Sequence, residues 1–172
     1  MSHLSEIKGL VSIAELAQIS IWAKQVPANG VILEFGSYHG LSSVCWAMNC
    51  DPSITIYCVD KFTDENDKDI YGEFLKNTSA YKNIIPIIGK SPNIDYNGSL
   101  LDLFFMDAAH RNPECIINLM FYKKFMKDTG IICGHDYNDY WPDVKITVNA
   151  VAKILNKKVK LYEGTSLWEL ID

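Results

Sequence analysis

Polar or glycine-rich groups follow each of the first five apolar runs of this 172-residue sequence. The groups are Glu34 to Ser43, Asp60, Gly89-Lys90-Ser91, Asp107 to Arg111 and Gly134 to Tyr137. Ligands of an open α/β sheet bind outside the carboxyl ends of its strands, so these five groups predict one shared binding site. Because carboxylates and imidazoles can transfer protons, the site is suited to acid–base chemistry on a polar ligand.

The first of these groups contains two glycines, Gly36 and Gly40. Glycine lets a chain turn sharply out of a strand and approach a ligand closely, although either glycine alone is also compatible with a plain turn. Tyr38 occupies the middle-glycine position of the dinucleotide fingerprint, which argues against a pyrophosphate site. Asp60 follows Gly36 by 24 residues, where a carboxylate can bind a ribose diol. The pattern therefore indicates a ribose without a pyrophosphate.

The elements that position these residues alternate between strand and helix patterns. Strands are predicted at 31–35, 55–60, 84–88, 101–106, 130–134, 159–162 and 166–170. Helices are predicted from the Ser12-Ile13-Ala14-Glu15 capping box, at 41–48, at 64–78, from Asn112-Pro113-Glu114 as far as Gly130, and from Pro142. In the fourth helix, Asn112 is the predicted N-cap, and Lys123, Lys124 and Lys127 favour the C-terminal end. Such alternation predicts a parallel sheet with helices on both faces. Only three residues separate the last two strands, so they predict an antiparallel hairpin.

In this order, the motifs resemble those of class I S-adenosylmethionine-dependent methyltransferases. They are E-x-G-x-x-x-G-x-S from Glu34, the acid Asp60, Gly89-x-Ser91, D-x-x-H from Asp107 and G-H-D-Y from Gly134. The set is similar to a small bacterial and viral branch related to macrolide sugar O-methyltransferases and cephalosporin-hydroxylase-type methyltransferases. The resemblance implies a Rossmann-like, seven-stranded, mostly parallel sheet with the last strand antiparallel between the fifth and sixth. It implies a single domain over 1–172, with an N-terminal helical segment at 1–28 and the core at 29–172.

The resemblance also implies which residues bind S-adenosylmethionine. Its methionine part is expected to contact Glu34 and the Gly36–Gly40 backbone, which includes Ser37 and Tyr38, and Ser42 is a further expected cofactor-binding residue. Asp60 is expected to bind the ribose hydroxyls, with Lys61 and Phe62 alongside, and Ser91 to contact the adenine. Asp107 is expected to lie beneath the amino group of the cofactor and to face the acceptor.

Macrolide-type relatives bind magnesium, and this implies a metal site formed by Asp107, His135 and Asp136. One of the expected acids is replaced here by the imidazole of His135. Because Mg²⁺ prefers oxygen ligands, the sequence leaves open whether Mg²⁺, another divalent cation or no metal is bound.

The reaction that the resemblance favours is O-methylation of a small, sugar-like acceptor. In-line transfer needs alignment of the acceptor and a base near its hydroxyl, and the catalytic candidates are Asp107, His110 and His135. We expect His110 to act as the base, unless it caps the helix near Pro113. His135 is a second candidate base, a metal ligand or a structural residue. Arg111, the sole arginine of the sequence, is either a solvated side chain or a binder of a carboxylate or phosphate on the acceptor.

Composition limits the partners. The net charge of −5 and the absence of a basic stripe argue against nucleic acid. There is no apolar run of membrane-spanning length and no signal-like N-terminus, so no membrane partner is expected. Five cysteines without a C-x-x-C spacing indicate reduced thiols and a cytoplasmic protein. The short chain lacks a substrate lid, which a homo-oligomer could supply.

Two other functions are alternatives to a methyltransferase. One is a non-catalytic module that binds S-adenosylmethionine or a nucleoside. The other is a nicotinamide oxidoreductase, which Tyr38 and the hairpin disfavour.

Overall fold

The computed structural model describes residues 4–63, 66, 68–90, 94, 96 and 100–172. In that part of the chain a short 3₁₀ turn at Leu4–Glu6 precedes five α-helices and seven β-strands. The helices are α1 (Ile13–Gln25), α2 (Leu41–Asn49), α3 (Tyr71–Thr78), α4 (Glu114–Lys123) and α5 (Pro142–Ile154). The strands are β1 (Val31–Phe35), β2 (Thr55–Asp60), β3 (Ile84–Ile88), β4 (Leu101–Met106), β5 (Met126–Gly134), β6 (Lys158–Leu161) and β7 (Trp168–Ile171).

The seven strands form one mixed sheet in the order β3-β2-β1-β4-β5-β7-β6. β1 pairs in parallel with β2 and β4, and the β2–β3 and β4–β5 pairs are also parallel. β7 runs antiparallel to both β5 and β6. The predicted fold class is therefore confirmed, including the antiparallel last strand between the fifth and sixth. Strand order reverses between β1 and β4, which makes their carboxyl ends the switch point of the sheet.

Helices cover both faces of the sheet and bury two apolar cores. Trp22 of α1, Trp46 of α2 and Phe74 of α3 pack on one face. Tyr122 of α4 and Val148 of α5 pack on the other. The N-terminal helix α1 thus shares a core with α2, α3 and the strands. None of the helices in the described ranges is long and apolar enough to cross a membrane.

Two predicted helix boundaries are wrong. Helix α3 begins at Tyr71 instead of near residue 64, and Thr63 and Asp69 form an antiparallel bridge before it. Helix α4 ends at Lys123, so Gly130 lies within β5 instead of stopping the helix.

The early start of β5 has a physical reason in Lys127, which was predicted to favour the C-terminal end of α4. Its Nζ lies 2.8 Å from both carboxylate oxygens of Asp102, a buried residue of β4. A buried carboxylate needs a partner, and the extended chain supplies this one.

The start of α4 also differs from the prediction that Asn112 caps it. Pro113 occupies the N-cap position, without a side-chain hydrogen bond to the helix. The Asn112 side chain instead accepts a hydrogen bond from Thr147 Oγ1 at 2.9 Å, and the backbone N–H of Asn112 donates to Asp143 Oδ2 at 3.0 Å. Asn112 therefore ties the loop after β4 to α5.

Candidate active site

A cleft of about 680 Å³ lies at the carboxyl edge of the sheet, over the switch point between β1 and β4. Its lining includes Gly36 after β1, Asp60 at the end of β2, Gly89 after β3, Asp107 after β4 and Asp136 after β5. The parallel strands place their polar ends on one edge, so residues far apart in sequence face a single cavity.

Gly36 lets the chain turn out of β1 directly beside Asp107. Its φ is +92°, and a Cβ at this position would lie 2.0 Å from the carbonyl oxygen of Asp107. The Gly36 N–H donates to the carbonyl of Val59 at 2.9 Å, and the Asp107 N–H donates to that of Phe35 at 2.7 Å. Glycine is therefore required here by both conformation and space. Gly40, with φ +91°, precedes the first turn of α2 as its N-cap.

Asp60 holds the loop after β1 in place through its side chain. Its Oδ2 accepts a hydrogen bond from the Tyr38 N–H at 2.8 Å, and its Oδ1 accepts one from the Phe62 N–H at 2.7 Å. A carboxylate oxygen can accept more than one hydrogen bond. Asp60 can therefore hold this loop and still accept hydrogen bonds from two neighbouring hydroxyls of a ligand.

Seven of the predicted cofactor-binding residues line the cleft. They are Gly36, Ser37, Tyr38, Ser42, Asp60, Lys61 and Asp107. Glu34 is not brought into it, because its fully buried carboxylate accepts hydrogen bonds from Ser43 Oγ and from Trp46 Nε1. Burial raises the pKa of Glu34, and these hydrogen bonds offset part of the rise. Glu34 of β1 thus holds α2 in place through hydrogen bonds and does not itself line the cleft.

Two further predicted residues lie apart from the cleft lining. The ring of Phe62 is buried between those of Tyr71 and Phe74, with centroid distances of 5.0 and 4.7 Å. Gly40 lies one residue before the lining residue Leu41. The predicted adenine contact, Ser91, falls outside the described residues.

Two histidines and two aspartates form a cluster at the ends of β4 and β5. His110 Nε2 lies 2.8 Å from Asp136 Oδ2. His135 Nδ1 lies 3.3 Å from Asp107 Oδ1 and 3.4 Å from Asp136 Oδ1. The other ring nitrogen of His135, Nε2, lies 3.0 Å from Oε1 of Glu15 on α1. Both nitrogens of His135 are therefore engaged by carboxylates.

These contacts shift the pKa values within the cluster in opposite directions. Burial alone would lower the pKa of His135, but its hydrogen bonds to Asp107, Asp136 and Glu15 outweigh burial and raise it. Burial raises the pKa of Asp107 despite the contact with His135. Burial would also raise the pKa of Asp136, but hydrogen bonds from His110 and His135 hold it below its usual range. The three carboxylates around His135 thus favour the protonated form of its ring over the neutral form.

His110 stands on the cleft side of this cluster. Its ring stacks on that of Trp141, with a centroid distance of 4.3 Å and an interplanar angle of 18°. About a third of the His110 side chain is exposed, and both rings line the cleft. His110 pairs with Asp136 and does not cap α4, so the capping interpretation is wrong. The neighbouring Arg111 is exposed at the same wall.

A family profile described as a methyltransferase domain matches residues 33–137, more than half of the chain. The chain belongs to this methyltransferase domain family. The match runs from β1 through the loop after β5 and so includes the glycine turn, Asp60 and the cluster of histidines and aspartates. The predicted relationship to methyltransferases and the prediction of an enzyme are confirmed.

Solved structures share the fold of this methyltransferase at low sequence identity. An O-methyltransferase from Bacillus cereus, in complex with SAH, has a TM-score of 0.76 at 14% identity, over 100% of this chain and 91% of that one. CalS11, a TDP-rhamnose 3′-O-methyltransferase of calicheamicin biosynthesis, has a TM-score of 0.70 at 16% identity, over 91% and 76%. Fibrillarin from Aeropyrum pernix, with natively bound S-adenosyl-L-methionine, has a TM-score of 0.62 at 13% identity, over 90% and 74%. A search of curated proteins finds no significant match.

The methyltransferase cluster also contains a set of side chains suited to a metal ion. One ligand atom each from Asp107, His110 and Asp136 lies within 4.8 Å of the others. This set contains His110 as its imidazole, whereas the predicted set had His135, whose Nδ1 also lies within 3.4 Å of both carboxylates. Two carboxylates and an imidazole are a donor set that suits Mn²⁺, Fe²⁺ or Zn²⁺ better than Mg²⁺.

Sequence reasoning missed Glu15 as a residue of the methyltransferase site. The predicted capping box is present, since Ser12 Oγ accepts from the Glu15 N–H and Glu15 Oε2 accepts from the Ser12 N–H. However, Oε1 of the same carboxylate accepts hydrogen bonds from the N–H and Oγ of Ser166, at 3.0 and 3.1 Å, and pairs with His135. A capping glutamate is a local signal, whereas these partners lie 120 or more residues away.

Proposed function

We propose that this methyltransferase transfers the methyl group of S-adenosylmethionine to a hydroxyl group of a small, sugar-like acceptor. One observation carries the proposal. A single cleft contains Asp60, a carboxylate suited to a ribose diol, and the cluster of His110, Asp107 and Asp136, which is suited to proton transfer. The neighbours named above support the cofactor, through bound SAH or S-adenosylmethionine, and CalS11 supports a sugar hydroxyl as acceptor.

In the reaction, the acceptor oxygen attacks the methyl carbon in line with its bond to sulfur. The new C–O bond uses an electron pair of the oxygen. The electrons of the broken C–S bond remain on sulfur, so the leaving group is the neutral thioether S-adenosylhomocysteine (SAH). The hydroxyl proton must go to a base. Alignment in the cleft supplies much of the rate, and a positioned base contributes roughly 10²–10⁴-fold.

His110 is the better of the two candidate bases. Asp136 accepts its Nε2–H, so the lone pair of the neutral ring lies on Nδ1. A base oriented by a carboxylate in this way recurs in many enzymes that activate hydroxyl groups. His135 is less suited, because carboxylates engage both of its nitrogens. We assign His135 the role of holding Asp107 and Asp136 in place.

The same side chains offer a second way to activate the acceptor. When bound to Asp107, His110 and Asp136, a divalent cation would supply Lewis-acid polarisation of the acceptor hydroxyl. One ring nitrogen of His110 would then be a ligand of the cation instead of the base.

The test is SAH formation from S-adenosylmethionine with a panel of free sugars, nucleotide sugars and phenols. We expect turnover with a hydroxylated sugar-type acceptor and a loss of roughly 10²–10⁴-fold in kcat for His110→Ala, with SAH affinity unchanged. Lys153→Ala, an exposed residue of α5, is the matched control and should keep full activity.

A parallel assay in chelator distinguishes the two ways of activating the hydroxyl. Activity that survives EDTA supports His110 as the base, and activity restored by Mn²⁺ supports the metal. Full turnover by His110→Ala would contradict both roles. SAH binding without turnover on any acceptor would indicate the non-catalytic module instead.

A further inference from the structure

Asn118 is a buried amide that the mechanism above does not use. It lies on α4 with 3% of its surface exposed, and its Oδ1 has no hydrogen-bond partner in the described part of the chain. Burying an amide oxygen without a partner is unfavourable, and buried amides in folded proteins are usually satisfied. Asn118 also belongs to the lining of the cleft. A ligand in the cleft that forms hydrogen bonds with the Asn118 amide would account for a buried amide at this position.

Its neighbours on α4 locate Asn118 at the switch point of the sheet. Three residues earlier, Cys115 Sγ donates to the carbonyl of Ala109 at 2.9 Å, just after the end of β4. Four residues later, the ring of Tyr122 packs on that of Phe35, the last residue of β1, with a centroid distance of 5.2 Å. Helical spacing places all three α4 residues on one face. Asn118 therefore lies between the ends of β4 and β1.

The cleft near Asn118 differs in character from the part around His110. Phe35, Val59 and Ala109 line it on this face of the sheet, and Val59 directly precedes Asp60. The walls next to the proposed ribose-binding carboxylate are thus apolar, with the Asn118 amide beside them. Such a space suits a flat ring whose faces are apolar and whose edge carries hydrogen-bonding groups.

We propose that Asn118 recognises the adenine edge of the bound cofactor, with Oδ1 accepting from the 6-amino group and Nδ2 donating to the adjacent ring nitrogen. This inference rests on the proposed use of S-adenosylmethionine. Asparagine pairs with adenine in this two-bond manner because its donor and acceptor match those of the base. The terminal torsion of asparagine is broad, so the amide can turn either atom toward the cleft.

The experiment compares the affinities of SAH and S-inosylhomocysteine by calorimetry. The second compound carries a carbonyl in place of the 6-amino group and therefore cannot donate to Oδ1. We expect the wild-type chain to prefer SAH by roughly 10- to 100-fold. Asn118→Leu, which keeps the branched shape and removes the amide, should bind SAH about tenfold more weakly and should lose the preference to within about threefold.

Two further variants keep the test falsifiable. Asn118→Asp keeps an acceptor oxygen, so it should retain a preference for SAH, although both ligands bind more weakly. Asn149→Leu makes the same change on the exposed face of α5 and should leave both affinities unchanged. Thermal unfolding of Asn118→Leu should match or exceed that of the wild type, because an unsatisfied buried amide is removed.

An Asn118→Leu variant that is folded and still prefers SAH as strongly as the wild type would overturn the proposal. A wild-type chain that binds SAH and S-inosylhomocysteine equally would also overturn it, and would leave the proposed function standing. A wild-type chain that binds neither compound would instead contradict the proposed function itself.

Discussion

The Glu15 carboxylate should contribute more to stability than its place in a helix cap suggests. It is 6% exposed and accepts hydrogen bonds from the Ser12 N–H and from the N–H and Oγ of Ser166, while it pairs with His135. Glu15→Ala removes all of these contacts and leaves the buried His135 and the half-buried Ser166 without this partner. Breaking a buried charged pair costs about 3–5 kcal/mol, and loss of the capping box adds about 1 kcal/mol.

Two milder variants separate these contributions. Ser12→Ala removes only the hydroxyl half of the capping box and should cost about 1 kcal/mol. Glu15→Gln keeps the shape and the capping box but loses the charge that faces His135, so about 1.5–3 kcal/mol is expected. The free energy of unfolding, measured in urea, should therefore fall in the order Ser12→Ala, Glu15→Gln, Glu15→Ala.

The pH dependence gives a second test of the same reasoning. Burial would raise the pKa of Glu15, but hydrogen bonds from His135, Ser166 and Ser12 outweigh it and hold the pKa well below its usual range. A lowered pKa stabilises the fold above the unfolded-state value of about 4.3, and this stabilisation is lost as pH falls toward the folded-state pKa. The gap between wild type and Glu15→Gln should accordingly narrow below about pH 4. A Glu15→Ala variant no less stable than Ser12→Ala would refute the reasoning.

Three other changes have defined outcomes. Gly36→Ala should abolish SAH binding and destabilise the fold by about 2 kcal/mol or more. Residue 36 has a φ of +92°, and the added Cβ would lie 2.0 Å from a backbone oxygen. A variant that binds SAH with wild-type affinity in calorimetry would contradict this prediction. Lys127→Met should lower the free energy of unfolding, measured in urea, by about 1–3 kcal/mol. The loss is moderate because Asp102 is buried while Lys127 is 40% exposed. An unchanged urea midpoint would show that this ion pair does not stabilise the fold. Arg111→Lys should raise the KM of an anionic acceptor and leave SAH affinity unchanged; an unchanged KM would leave Arg111 as a solvated side chain.

Local patterns predicted the strands, the hairpin and most of the cleft. The ends of parallel strands share one edge of the sheet whatever the details of packing, so Gly36, Asp60 and Asp107 could be placed together from their positions after apolar runs. The end of α4 could not be predicted in this way. Its lysines and Gly130 are valid local signals for a helix end, but the buried Asp102 draws Lys127 into an extended strand.

The pairing within the cluster depends on contacts between elements and was not visible in the sequence. His110 and His135 both follow strand ends, and nothing in their immediate sequence indicates that Glu15 of α1 engages one of them. That contact engages the second ring nitrogen of His135, whereas His110 pairs with Asp136 through Nε2, although both histidines line the cleft. The same limit applies to Asn118, which resembles an ordinary helical residue until the walls around it are known.

The most direct test of the account is a calorimetric titration of the purified chain with SAH, with NADH as the comparison ligand. We expect one SAH to bind per chain, NADH not to bind, and Asp60→Ala to weaken SAH binding by about 10- to 100-fold, because charged hydrogen bonds to the ribose are lost. A chain that binds no SAH, or that binds it equally well without the Asp60 carboxylate, would contradict the central claim that this cleft holds S-adenosylmethionine for methyl transfer.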